Sequence, residues 1–135
     1  MTDRLRVIRR AFLALLCLLS IASTAGASEA ADPATLADIE YLLDRVEHSE
    51  FVFIRNGNEH SGAEAARHMR RKYEYFLEKG DIVTVEDFID LAGTKSLMTG
   101  RQYLVRLSDD TVVPTADWLR GELGAHHNST AGVGR

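Results

Sequence analysis

The chain has 135 residues, with 16 Lys and Arg against 20 Asp and Glu for a formal net charge of −4, and one cysteine. That length supports one modest core and leaves no room for a second domain. The acidic balance repels phosphate backbones and argues against nucleic acid as a partner, and one cysteine cannot form an internal disulfide or a thiolate metal cluster.

Arg4, Arg6, Arg9 and Arg10 precede the apolar run Ala11 to Ala22, and Ala25-Gly26-Ala27 follows with the small residues of a cleavage site. The pattern predicts a cleaved signal peptide over residues 1–27, because the apolar run is well short of the roughly 20 residues that span a bilayer. Arg9-Arg10 also resembles a twin-arginine signal, although Ile8 and the strongly apolar core favour the general route. Cys17 sits deep in the apolar run behind Leu16, the wrong setting for a lipid anchor. The leader holds four of the 16 basic and one of the 20 acidic side chains, so its removal leaves 12 against 19, a net charge of −7. The expectation is an exported, periplasmic or secreted protein with no stable membrane insertion after cleavage.

Asp32 can cap a helix, Pro33 suits its first position, and Leu36, Ile39, Leu42, Leu43 and Val46 recur at three- and four-residue intervals, which predicts a helix over 33–47. Phe51 to Ile54 is strand-like, and Asn56-Gly57 accepts the positive φ angles of a type I′ turn, so Asn58 to His60 should fold back on Phe53 to Arg55. Ser61 and Glu64 have capping-box spacing at the start of a second helix, expected over 62–79 with Ala66, Met69, Tyr73, Phe76 and Leu77 inward and Gly80 as its stop. Thr84 and Asp87 repeat the box before a short third helix ended by Gly93, and Thr94 to Gly100 reads as a polar loop. Arg101 to Leu107 alternates as a strand, and Ser108-Asp109-Asp110 returns it into Thr111 to Val113, where Pro114 stops it. Thr115 reads as the cap of a last helix carrying Trp118, Leu119 and Leu123, ended by Gly124, with a disordered tail over 124–135. The sum is an α+β domain over 28–123 with about four short helices on a small antiparallel sheet. That sheet is built from two hairpins, which should join because a two-stranded hairpin alone is marginal in water.

Several short pieces recur together: Phe53-Ile54-Arg55-Asn56-Gly57 with His60; Glu64-Ala65-Ala66 with His68-Met69 and Lys72; Thr84 to Ile89; and Ser96 with Gly100 and Tyr103. As a set they resemble the YfeK-like family of small exported bacterial proteins of unknown function. The resemblance implies an exported compact domain and carries over no catalytic residue. Where that family tends to have a small residue two positions after Ser96, this chain has Met98.

Three kinds of site can be drawn from the residues. His60, Glu64 and His68 offer nitrogen and carboxylate ligands near the start of the second helix, without an HExxH pairing or a visible fourth ligand; His126-His127 is a weaker alternative. Arg55, His68 and Lys72 could hold an anion, such as the carboxylate of a peptide or cell-wall fragment, beside the helix start at Ser61 to Ala63. For a hydrolase, Ser61 and Ser96 lack an elbow or Ser-x-x-Lys setting, and carboxylates for glycan cleavage would come from Asp87, Asp90, Asp109 or Asp110. No catalytic constellation is recognisable and no cofactor is implied. The reading is therefore a binding or interaction module for a protein or envelope component, with Arg55, Asn56, Gly57, His60, His68, Lys72, Ser96 and Tyr103 as its surface. Arg55, Tyr103 and Trp118 are the anchors, although Trp118 fits a core position better.

Overall fold

The computed structural model describes residues 30–132; the expected leader over 1–27, with Cys17 and Arg9-Arg10, lies outside the described residues. Helix α1 (Pro33–Glu47) begins where Asp32 accepts a 2.7 Å hydrogen bond from the Thr35 amide. Its Ile39, Leu42, Leu43 and Val46 are wholly buried, and at about 1.5–3 kcal/mol each they are a main source of stability. The helix packs across the second, third and last helices, and the core is continuous among them.

Strands β1 (Val52–Arg55) and β2 (Asn58–His60) form the expected hairpin, with Phe53 opposite His60 and Arg55 opposite Asn58. Asn56 and Gly57 turn it at φ 54° and 84°, the positive pair that a type I′ turn requires. Strands β3 (Leu104–Arg106) and β4 (Val112–Pro114) form the second hairpin, and β1 pairs antiparallel with β3, Phe53 opposite Val105. The two hairpins thus share one sheet of order β2-β1-β3-β4. Pro114 is the last residue of β4, an edge strand where its missing N–H is tolerated.

Helix α2 (Gly62–Glu78) starts with the capping box: the Glu64 amide donates to Ser61 Oγ at 3.3 Å and the Ser61 amide to Glu64 Oε2 at 2.9 Å. It stops at Gly80, φ 75°, where the Asp81 amide donates back to the Phe76 carbonyl at 3.0 Å. Leu77, expected inside, falls in the last turn at the end of the apolar stripe and is exposed, whereas Lys72 is buried. The expected third helix is a single α turn, α3 (Val85–Phe88), that widens into a π turn over Ile89–Gly93, closed by the Thr94 hydroxyl donating to the Ile89 carbonyl at 2.9 Å.

Two expectations about the last helix are corrected. Helix α4 (Thr115–Gly132) does not stop at Gly124, and residues 124–132 are helical, not a disordered tail. The extra turns are held on α1: His126 stacks on Tyr41 with ring centroids 3.8 Å apart, and His127 Nε2 lies 2.9 Å from Asp38. Nor does Thr115 cap the helix, since its hydroxyl is buried without a hydrogen-bond partner.

Gly62 is required by a close approach. A Cβ there would lie 2.2 Å from the Val46 carbonyl oxygen and 2.7 Å from that of Ser49, so only glycine lets α2 begin against the end of α1. Gly62→Ala is expected to lower the free energy of unfolding by about 3 kcal/mol in urea titration, as overpacking against fixed backbone does. Gly124→Ala meets nothing within 4 Å and is expected to raise stability by up to ~1 kcal/mol, the helix-propensity difference; no change would mean that the segment is not helical in solution.

Candidate functional site

Pleating decides which side chains meet. Arg55 is two residues beyond the buried Phe53 in β1, so it points to the helix-covered side of the sheet. His60 is the cross-strand partner of Phe53, and Tyr103 precedes the buried Val105 by two, which puts both on that same side. From α2, His68 and Lys72 lie one turn apart and face them. The result is a cleft of about 360 Å³ between the β1–β2 turn, α2 and the Ser96 to Met98 loop, walled by Arg55, Asn56, His68, Lys72, Ser96 and Tyr103.

Lys72 is 8% exposed. Its Nζ donates to the Lys95 carbonyl at 2.9 Å and sits 5.1 Å above the centre of the Tyr103 ring, but meets no carboxylate. Burial pushes its pKa down to about 8. His68 Nε2 and the Tyr103 hydroxyl are hydrogen-bonded at 3.0 Å. Burial, with Arg55 and Lys72 close by, pushes His68 down to about 4, so its ring is neutral at pH 7, and burial raises the Tyr103 phenol. Elsewhere several arginines are matched: Arg45 to Glu122 at 2.7 Å, Arg70 to Glu40 at 3.0 Å, Arg120 to Asp90 at 2.8 Å, while Arg67, Arg71 and Arg101 make no ion pair among the described residues. Among the described residues no ion pair forms at Arg55 or Lys72, and no Asp or Glu lines the cleft.

The loop is ordered by its own backbone. The Ser96 amide donates to the Arg101 carbonyl and the Gly100 amide to the Ser96 carbonyl, each at 2.9 Å, and Lys95 bridges to Gln102. Ser96 is buried, and its hydroxyl accepts from the Thr99 amide at 3.3 Å. Thr99 in turn donates to Asn56 Oδ1 at 2.6 Å, which ties the loop to the β1–β2 turn. Behind Arg55, His68 and Tyr103 lies a second, apolar hollow of about 20 Å³, onto which His60 and Thr115 open.

Of the residues read from the sequence, Arg55, Asn56, His68, Lys72, Ser96 and Tyr103 meet at the cleft. His60 lines the hollow, and Gly57, exposed in the turn, has the Arg101 guanidinium beside it. Tyr103 is a buried wall of the cleft, not an exposed anchor. Trp118 packs edge-on against Phe51 and Phe53, at 5.9 and 5.7 Å between ring centroids, and belongs to the core. The capping box already occupies the Ser61 and Glu64 amides at the helix start, and Arg55, His68 and Lys72 meet about two to three turns further along α2.

His60, Glu64 and His68 do not assemble as metal ligands. Glu64 is engaged by Ser61, whose hydrogen bonds lower its pKa, His68 Nε2 is taken by Tyr103, and among the described residues no group of three or more His, Cys, Asp or Glu is placed to hold a metal ion. The proposed glycan-cleaving carboxylates are scattered over separate duties. Asp87 caps α3, Asp90 pairs with Arg120, Asp109 accepts from the Thr111 amide at 3.0 Å, and Asp110 turns the chain at φ 64°. Leu97 at the rim carries no periodicity that marks it in the sequence, and Thr115, which has the residue type of a helix cap, lines the hollow instead.

A fold of four helices on a four-stranded antiparallel sheet, with a cation-lined cleft at the turn end of its first hairpin, defines a small α+β domain. The chain belongs to a family of unknown function, DUF5329, whose model matches residues 33–127. No curated protein and no solved structure matches it. No helix among the described residues is long and apolar enough to cross a membrane.

The position of Lys72 predicts a pH signature. Its pKa is lower in the folded chain (about 8) than in the unfolded one (about 10.4), so between those values the unfolded chain binds a proton that the native one does not, and stability rises with pH. Lys72→Met is expected to abolish that rise and, by removing a buried unpaired charge, to be at least as stable as the parent at pH 7. Urea midpoints at pH 7, 8, 9 and 10 measure both; a marked loss at pH 7 would make Lys72 a structural residue.

Proposed function

We propose that the protein is an exported binding module whose cleft takes an anionic group of its ligand, held between Arg55 and Lys72. The observation that carries this reading is a buried lysine beside an arginine in an open cleft that no carboxylate lines, within an acidic chain. A buried cation without a partner is costly, and a ligand oxyanion supplies the missing charge. Arg55 contributes the forked donor geometry suited to carboxylate or phosphate. The neutral His68–Tyr103 pair adds a polar wall without competing charge. Export to the periplasm or beyond is supported by the leader-like pattern of residues 1–27 and by the YfeK-like resemblance. The favoured ligand source is accordingly a protein or envelope component.

Thermal melts in low-salt buffer at pH 7 are expected to rise by several degrees with millimolar phosphate or acetate, because a ligand at about 100 times its dissociation constant adds about 2.7 kcal/mol. Arg55→Gln and Lys72→Met should each remove most of that rise, and the wild-type response should fade as pH climbs above 8 and Lys72 loses its proton. A melt indifferent to both anions in the parent, or equal shifts in parent and variants, would refute the proposal.

A further inference from the structure

The cleft that carries the cations also carries apolar surface. Leu97 and Met98 form part of its wall and are 62% and 96% exposed, in a domain whose other large apolar side chains are mostly covered. Their exposure is held in place: the Ser96–Arg101 and Gly100–Ser96 backbone bonds and the Thr99–Asn56 tie fix the loop that presents them. Adjacent large apolar side chains fixed in the open at the mouth of a pocket mark a contact surface, and a methionine adapts to varied partners.

Resting on the anion reading above, we infer that the ligand is the C-terminal end of a peptide whose last side chain is apolar, its α-carboxylate between Arg55 and Lys72 and that side chain on Leu97 and Met98. A bare inorganic anion would leave the apolar rim uncovered. A long acyl chain is poorly matched, because the apolar part of the cleft wall is short, Leu97, Met98 and the Tyr103 ring, and the hollow of about 20 Å³ behind His68 and Tyr103 is about one water in size. A terminal residue, by contrast, brings one carboxylate and one compact apolar group from a single Cα, and the cleft of about 360 Å³ is within the range of small-ligand pockets.

The test is calorimetric titration of the purified full chain with acetyl-Ala-Leu as free acid, the same peptide as C-terminal amide, acetyl-Ala-Asp, acetate and octanoate. The free acid is expected to bind about tenfold or more tighter than its amide and than acetate, and tighter than the aspartate-ended peptide and octanoate. The double variant Leu97→Ser/Met98→Ser, altered only at exposed positions, should keep acetate binding and lose the preference for leucine. Equal binding of acid and amide, octanoate as the tightest ligand, or acid peptide no better than acetate would overturn the inference, and the last of these would leave the anion site standing. If neither acetate nor any peptide binds, both readings fall.

Discussion

The approach of α2 to α1 at Gly62 sets the rest of the molecule. With backbone oxygens of Val46 and Ser49 where a Cβ would stand, the second helix begins hard against the end of the first, and its direction is fixed from its first residue. The capping box at Ser61 and Glu64 holds that start, and the wholly buried face of α1 locks the pair from the other side. A helix so anchored has no freedom to choose which residues face the sheet edge. His68 and Lys72 fall over Arg55 and Tyr103 because α2 is pinned about two to three turns upstream, while the pleat of β1 and β3 brings the other two side chains to the same side. The cleft is a by-product of core geometry, and its chemistry is carried by residues the core does not need.

That chemistry is electrostatic. Proteins rarely bury a lysine without a carboxylate, because desolvation disfavours the charged form. Here the Lys95 carbonyl and the Tyr103 ring give Lys72 one hydrogen bond and a quadrupole contact, partial compensation that leaves its pKa down at about 8. His68, in the same surroundings, is pushed to about 4 and contributes no charge at neutral pH. The cleft therefore presents Arg55 and Lys72 as two cations in a partly dry setting, where attraction for an oxyanion is stronger than at an open surface. Perturbed groups gathered in a concave site are a recognised sign of function, and here the perturbation and the geometry point to the same few residues.

Much of this was legible in the residues. The Asn56-Gly57 turn, both capping boxes and the glycine stop at Gly80 are local signals with local causes, and they placed the elements. Most of the cleft was legible too, since the period of two from Phe53 to Arg55 and the i, i+4 spacing of His68 and Lys72 need only a sheet and a helix that meet. What escaped depends on contacts distant in sequence. Gly124 resembles a helix stop until Tyr41 and Asp38 of α1 are seen to dock His126 and His127. Thr115 resembles a cap until its hydroxyl is found facing the interior. Leu77 follows the apolar period but falls beyond the core, and Lys72 breaks it yet lies inside. The π turn after Phe88 and the folded-in loop at Ser96 have no sequence period at all.

The central claim is that Lys72 is a buried cation waiting for an anion, and its own titration tests this most directly. The chain has only three lysines, Lys72, Lys79 and Lys95, so their side-chain ammonium signals can be followed individually by NMR across pH 6 to 12. The account predicts that Lys72 titrates near 8 in the free protein and moves upward by about a unit or more when acetate is added to saturation, as an opposite charge at close range requires. A Lys72 that titrates near 10.4, like an exposed lysine, and stays there with acetate present would contradict it.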